Sequence, residues 1–415
     1  MSYLRSFRHR NYRIIYPANT LSNIGTWAQR VAQDWLVLQL SGSGTYVGLV
    51  TGVQFLPALL LSIQGGALAD RFNKRRVLLL CNIGGGVSAL TLGLLVVTHH
   101  IKLWHVFVCA FTLGLSSAID APVRQSFTAE IVGRSDLGNA VSLNSANFNL
   151  ARLIGPGVSG LLIAAFGTGP SFLLNAASYI FILAALYAVR ESELHIENKP
   201  NLNAKVGEAF AYVKARSDIL GVMFTVFFTA TFGLNFMIFN TLMATKVFHK
   251  GAASYGALGS ILAIGSLTGA LLSARLEKRR QPRYAMFGAM VFGLIVAIES
   301  FAPSYTIYAI LLPIGGCIAL LTLITANSIV QMRTDPAIRG RVMGIYLTVF
   351  MGGTPAGSPL IGWLSSTIGV RQTMTLCGLV TTLSVLAIYT RFRSSLDAPD
   401  SFLIEDVLET PYDNK

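Results

Sequence analysis

Apolar stretches long enough to cross a bilayer recur along nearly the whole of this sequence, and no other feature narrows its possible folds as far. Crossing about 30 Å of hydrocarbon as a helix takes about 20 mostly apolar residues. Such stretches are read at 14–40, 45–69, 77–98, 103–121, 139–166, 170–189, 219–243, 252–273, 284–302, 304–328, 342–365 and 372–390. A soluble enzyme with one anchor would show one of them. Of the 415 residues 53% are hydrophobic and 12% charged, too little polar material to solvate an ordinary globular surface. The expected fold class is therefore all-α integral membrane, with twelve transmembrane helices. The opening MSYLRSFRHRNYR carries the charge of a signal peptide. The apolar stretch behind it is too long and lacks a small-residue cleavage pattern, so it is read as a retained first helix.

The formal net charge of +13 is explained by where the basic residues fall. With the N-terminus inside, 26 of the 32 Lys and Arg lie in cytoplasmic segments, whereas the six opposite loops hold only Lys102, Lys246, Lys250 and Arg371. This positive-inside pattern puts both termini in the cytosol of a multi-pass protein of the cell membrane. The basic excess is thus topology, and no nucleic-acid partner is expected. Cys81, Cys109, Cys317 and Cys377 fall in hydrophobic segments without C-x-x-C spacing, which suggests neither disulfides nor zinc. The six histidines form no ligand pattern within one span, and no phosphate cradle is present. No metal, no cofactor and no enzymatic activity are expected.

Composition changes abruptly after the sixth span, where residues 190–218 balance five acids against five bases and contain Pro200. The expected organisation is an N-terminal six-helix half at 1–189, a cytosolic linker at 190–218, a C-terminal half at 219–391 and an acidic cytosolic tail at 392–415. The linker's second part, about Asn203 to Arg216, can form an amphipathic helix with Val206, Phe210 and Val213 on one face. The halves repeat each other. Phe148, Gly155, Gly160 and Gly167 recur 202 residues later as Phe350, Gly357, Gly362 and Gly369. Gly66, Arg75 and Arg76 find counterparts 203 residues later in Gly269, Lys278 and Arg279. Two six-helix units of the same topology are parallel repeats about an axis along the membrane normal, and such pairs rock around a central cavity.

The second span ends in GALADRFNKRR, containing Gly66, Asp70, Arg71, Arg75 and Arg76. This segment resembles the G-x-x-x-D-R-x-G-R-R loop of the major facilitator superfamily, with Asn73 in place of the second glycine. The fifth span contains ARLIGPGVSG, with Gly155, Pro156 and Gly160, similar to the antiporter signature of that superfamily. Before the eleventh span, Arg339-Gly340-Arg341 resembles its R-G-R motif. The fourth span lacks the membrane-embedded arginine that many of its proton-coupled drug exporters carry. From about residue 5 to 392 the chain looks most like the branch of macrolide-efflux and enterobactin-exporter proteins. The resemblance implies an alternating-access exporter whose inner gate Asp70 holds shut against the start of the eleventh helix. Asp120, four residues before Arg124, is read as a further gate partner.

Charges inside spans are costly and mark candidate sites. In the first span Asn19, Asn23, Trp27, Arg30 and Asp34 form one helical stripe. In the fifth, Asn144, Phe148, Ala151, Gly155 and Ser159 form another, with Asn147 and Arg152 at its margins. The substrate and coupling residues expected to meet in the central cavity are Asn23, Trp27, Arg30, Asp34, Asn144, Asn147 and Arg152, with Arg30 and Asp34 acting as a coupled pair. Glu299 is read as either reaching water at its span's end or serving a function. The expected activity is secondary active export of amphipathic small molecules, of drug or siderophore class, driven by protons or another ion, by a monomer in the lipid bilayer. The alternatives are an importer of a polar metabolite and a transport-inactive receptor or assembly factor.

Overall fold

The computed structural model describes residues 4–195, 206–275, 281–335 and 338–396; within these ranges the side chains of 62–71, 134, 206, 274 and 394–396 are not described. The apolar runs wind into helices α1 (Arg10–Ser41), α2 (Gly44–Arg71), α3 (Lys74–Val97), α4 (Leu103–Gly133), α5 (Ser135–Phe166) and α6 (Gly169–Tyr187). A short α7 (Val206–Ala215) follows, then α8 (Ser217–Val247), α9 (Ala252–Arg275), α10 (Pro282–Ser300), α11 (Tyr305–Arg333), α12 (Arg339–Thr367) and α13 (Val370–Leu396). Local chemistry sets several ends. Gly42 closes α1 at φ 65, with its N–H on the Leu38 carbonyl at 2.8 Å, a left-handed position that suits glycine. The Asn73 side chain accepts from Arg76 N–H at 3.1 Å and so caps α3, which gives the residue that departs from the glycine pattern a structural use.

Ten helices among the described residues are long and apolar enough to cross a membrane. The long helices α1 and α12, at 32 and 29 residues, also have the length but are more polar. The set is consistent with the twelve spans expected. Between the fourth and fifth spans the structure departs from expectation: instead of a loop over 122–138, helix continues to Gly133, where φ 69 and ψ 174 break it. Val123, Phe127 and Ile131 recur every four residues and are buried, so the segment has an apolar face of its own to pack. The linker helix α7 is likewise rotated from the expected face. Ala209 and Val213 are its buried residues and Phe210 is exposed, because α7 packs onto Ile219, Ile329 and Val342. Helix α13 runs to Leu396, five residues into the segment expected as tail.

Helices α1–α6 pack among themselves, as do α8–α13, and the two sets meet through α2 against α12 and α5 against α9. The face reached by Arg10, Lys74 and Arg339 is called the basic face, and that of Ser41, Phe166 and Thr367 the far face. Toward the far face one apolar core runs through both sets, from Val31, Leu36 and Val47 to Leu242, Tyr255 and Leu258. Toward the basic face the cores stay within one set each among the described residues: one around Tyr12, Leu78 and Phe127, and in the other set one around Ile219, Ile329 and Val342 and a small one around Met286, Ala289 and Val385. A methyl placed on Gly340 or Gly344, near the start of α12, would meet nothing within 4 Å among the described residues. Among the described residues, the seam between the sets is closed at the far face, while toward the basic face the two sets share no apolar core.

Candidate functional site

Glycine decides how closely the two polar stripes meet. A methyl on Gly155 would lie 2.6 Å from Trp27 Cβ and 2.9 Å from the Ile24 carbonyl, so only glycine lets α5 come this close to α1. The approach seats Trp27 against Phe148 edge to face, with ring centroids 5.7 Å apart. Two guanidinium groups flank the same indole. Arg30 Cζ stands 4.9 Å from the Trp27 ring centroid and 5.5 Å from that of Phe55, and Arg152 Cζ stands 5.9 Å from that of Trp27. Both arginines are half-buried, and Arg30 Nε is buried without a partner. Neither guanidinium has a hydrogen bond or ion pair among the described residues.

Arg30 and Asp34, expected to act as a coupled pair, make no contact ion pair, since no nitrogen of Arg30 comes within 4.0 Å of an Asp34 oxygen, yet their charges lie close enough to act on each other. One helical turn separates them, and each has a better partner at its own depth. Arg30 lies on aromatic faces, while buried Asp34 accepts a hydrogen bond at 3.2 Å from the hydroxyl of Tyr255 on α9. Tyr255 also stacks on Trp35, ring centroids 6.2 Å apart. Asp34 thus joins the two helix sets near the far face. Close by, Ser43 Oγ and Ser366 Oγ are 3.3 Å apart.

Among the other stripe residues, Asn144 accepts from Tyr12 Oη at 3.2 Å and donates to Thr128 Oγ1 at 3.5 Å. Asn147 is buried, with neither amide atom partnered among the described residues, and Asn23 is half-buried. Behind the stripe lie two buried amide pairs that the sequence reading passed over: Asn175 donates to Gln29 Oε1 at 2.6 Å and Gln33 donates to Gln54 Oε1 at 2.8 Å. The four-residue spacing of Gln29 and Gln33 was the available signal. Tyr255 had no local signal, because its partner is 221 residues away.

The side chains of Gly66, Asp70 and Arg71 lie outside the described residues. Arg75 Nε donates to the Leu186 carbonyl at 2.8 Å, Nη2 to Tyr187 at 2.7 Å and Nη1 to Glu191 Oε1 at 3.0 Å, so it caps the C-terminus of α6. Arg76 is exposed. Asp120 holds Arg124 through two bonds of 2.7 Å and accepts from Asn82 at 3.1 Å. Pro156 and Gly160 face the other set: a methyl on Gly160 would lie 2.9 Å from both the Ala252 carbonyl and Gly256 Cα. Arg339 donates to the Thr334 carbonyl and Arg341 to Glu208 of α7 at 2.8 Å, so the R-G-R segment binds its own half's linker helix. A methyl on Gly340 between them would meet nothing within 4 Å among the described residues. Glu299 is corrected outright in one respect: it is fully buried rather than reaching water, with neither carboxyl oxygen partnered among the described residues. Its helix ends only one residue later, but the turn and α11 close over it.

On the C-terminal side, α8 is broken between the π-helical turn Thr229–Gly233 and the α-helix Phe236–Leu242. Asn235 repairs the break, donating to the Thr231 carbonyl at 2.8 Å and accepting from Ser358 Oγ at 3.0 Å. Broken spanning helices are tolerated where protein supplies such bonds. The repeat read in the sequence has matching contacts. Gly357 packs on Thr231 of α8 as Gly155 packs on α1, and Gly362 meets Gly48 of α2 as Gly160 meets Gly256 of α9.

Residues 1–408 match the family described as transmembrane secretion effector. Curated relatives include the staphyloferrin A transporter of Staphylococcus aureus, 22% identical over 91% of this chain and 95% of that protein. The multidrug efflux pump Tap of Mycolicibacterium fortuitum is 26% identical over 92% of this chain and 96% of its own length. The enterobactin exporter EntS of Citrobacter koseri is 23% identical over 86% of each. Among solved structures, a bacterial homologue of the human lysosomal transporter Spinster, inward-facing and unoccupied, superposes with TM-score 0.72 over 96% of this chain and 100% of that one, at 17% identity.

Proposed function

The chain belongs to the transmembrane secretion effector family of the major facilitator superfamily, and on that premise we propose that it exports amphipathic small molecules by alternating access, driven by protons. The observation that carries this reading is the single apolar core that joins both sets toward the far face, set against cores confined to one set each toward the basic face. A pair of bundles hinged in this way presents its interior to one side of the membrane at a time. The positive-inside pattern makes the basic face cytosolic, with both termini there, and the cell membrane is the expected site. The state described is then inward-open, ready to load from the cytosol. Relatives named for drug efflux and for siderophores support cargo of that size and character.

In this reading the helix sets at 1–189 and 219–391 are the rocking bodies, and 190–218 joins them. Asn23, Trp27, Arg30 and Arg152 line the loading side of the seam, with Asn147 buried behind them. Pro156 and Gly160 form the far gate with α9, and Asp34 latches it through Tyr255. Closure of the basic face would bring the start of α12 toward Asp70. Asp34 is the carboxyl through which a proton acts on the cycle, because protonation removes the charge that the Tyr255 hydroxyl bonds to.

The test is flux. Purified protein in proteoliposomes should move a hydrophobic antibiotic or siderophore outward when a pH gradient is imposed, and stop when the gradient is collapsed. Uptake in the opposite sense would identify an importer. Absence of gradient-dependent flux for every cargo tried would identify a receptor and defeat the proposal.

A further inference from the structure

Resting on the transport reading above, we propose that the Arg30–Trp27–Arg152 cluster selects organic anions, carboxylate-bearing amphiphiles, as the cargo. Two cations share one indole, with centroid distances of 4.9 and 5.9 Å; neither has a carboxylate within ion-pair distance among the described residues, and Asp34 acts on Arg30 only from one helical turn away. The nearest acid on the same helix face, Asp34, gives its oxygen to Tyr255 instead. Cation–π contact offsets part of the cost of holding a guanidinium away from water, about 0.5–2 kcal/mol per contact. It does not balance the charge. Arginine inside a membrane span ordinarily finds a counter-ion, and here the cluster faces a seam that opens toward the basic face. An incoming carboxylate would supply that counter-ion, and the planar guanidinium groups hold such oxygens in bidentate fashion. Arg30 Nε, buried and without a hydrogen-bond partner among the described residues, is a donor already in place.

The aromatic surroundings define the rest of the molecule. Trp27, Phe148 and Phe55 surround the cations and offer apolar faces to a ring or alkyl portion. Lipophilic cations would enter against two like charges and are disfavoured. Glycine at position 155 fixes the spacing, since it brings Arg152 of α5 up to the indole of α1.

The matched probes are 1-naphthaleneacetate and its uncharged amide, 1-naphthaleneacetamide, bound at equilibrium to the full-length protein in lipid nanodiscs at neutral pH. The acid is expected to bind about tenfold tighter than the amide, the scale of a charge-assisted hydrogen bond to a preformed donor. Arg30→Gln and Arg152→Gln should each cut that ratio, and the double variant should bring it to unity while amide binding persists. Amide binding reports that each variant is folded, and Arg152→Lys should restore part of the preference. Equal binding of acid and amide by the unaltered protein, or a preference that survives both Gln substitutions, overturns the proposal. A parallel flux measurement separates the two readings. Gradient-driven export of ethidium in preference to the acid would leave a transporter without an anion site. Arginine-dependent acid binding without flux would support the anion site and defeat the transport reading.

Discussion

The Asp34–Tyr255 bond is one of the single hydrogen bonds that join the two helix sets, and it is open to a conservative test. Tyr255→Phe removes one oxygen and keeps the ring stacked on Trp35. Loss of a hydrogen bond worth about 1–2 kcal/mol should shift the population toward an opened far face about five- to thirtyfold. Thiol labelling of a cysteine placed at Ser43 would measure this, and labelling at the wild-type rate would remove the bond from the gate. Glu299 invites the opposite experiment. Its carboxyl is fully buried and its oxygens lack partners among the described residues, so desolvation counts against the fold. Glu299→Leu should raise the thermal midpoint in detergent, by relief of about 1–3 kcal/mol; a lowered midpoint would reveal a partner in the folded protein. These residues differ in how readily the sequence exposes them. Trp27, Arg30 and Asp34 stand out because helical spacing puts intramembrane polar groups in one line. Tyr255 and the unpartnered state of Glu299 depend on chains meeting across the fold, about which no local period carries information.

At the level of elements, the apolar runs locate the helices well and their ends less well. The α4–α5 region reads as a loop because it is polar, yet its four-residue apolar repeat is enough to keep it helical down to Gly133. Helix α7 was visible from its amphipathicity, but which residues it buries was settled by its contacts with α8, α11 and α12. Gly155 and Gly167 show how the same residue serves two purposes. Gly155 is held by sterics against Trp27 and the α1 backbone, whereas Gly167 has open space among the described residues but sits at φ 79, ψ -174. Gly155→Leu should abolish flux by prising α5 from α1. Gly167→Ala should cost about 1–3 kcal/mol of stability through backbone strain while flux per folded molecule is retained. Transport assays normalised to monodisperse protein distinguish the two, and retained flux in Gly155→Leu would refute the close-packing account.

For the whole molecule, the arrangement of cores predicts where a covalent tie will stop the cycle. Cysteines replacing Ser43 and Ser366, whose hydroxyl oxygens are 3.3 Å apart, should crosslink under mild oxidation and halt flux, with recovery on reduction. Undiminished flux in the crosslinked protein would mean the far face need not open. The two-repeat plan itself was legible, because glycines at a constant spacing are hard to produce by hydropathy alone. Which way the seam opens was not, since both conformations bury the same apolar residues within each half and differ only in contacts between halves.

The paired glycine contacts have a consequence for stoichiometry. Helix α5 offers Gly160 to α9 of the other half, and α12, its repeat, offers Gly362 to α2, the repeat of α9. Each half therefore carries both the protruding and the receiving surface of one self-complementary interface, the condition for a twofold homodimer. Residues 1–189 expressed alone should pair with a second copy of themselves in lipid, and Gly160→Leu should return them to single units, as crosslinking within the bilayer would show. In the full-length chain the two halves meet that requirement within one molecule.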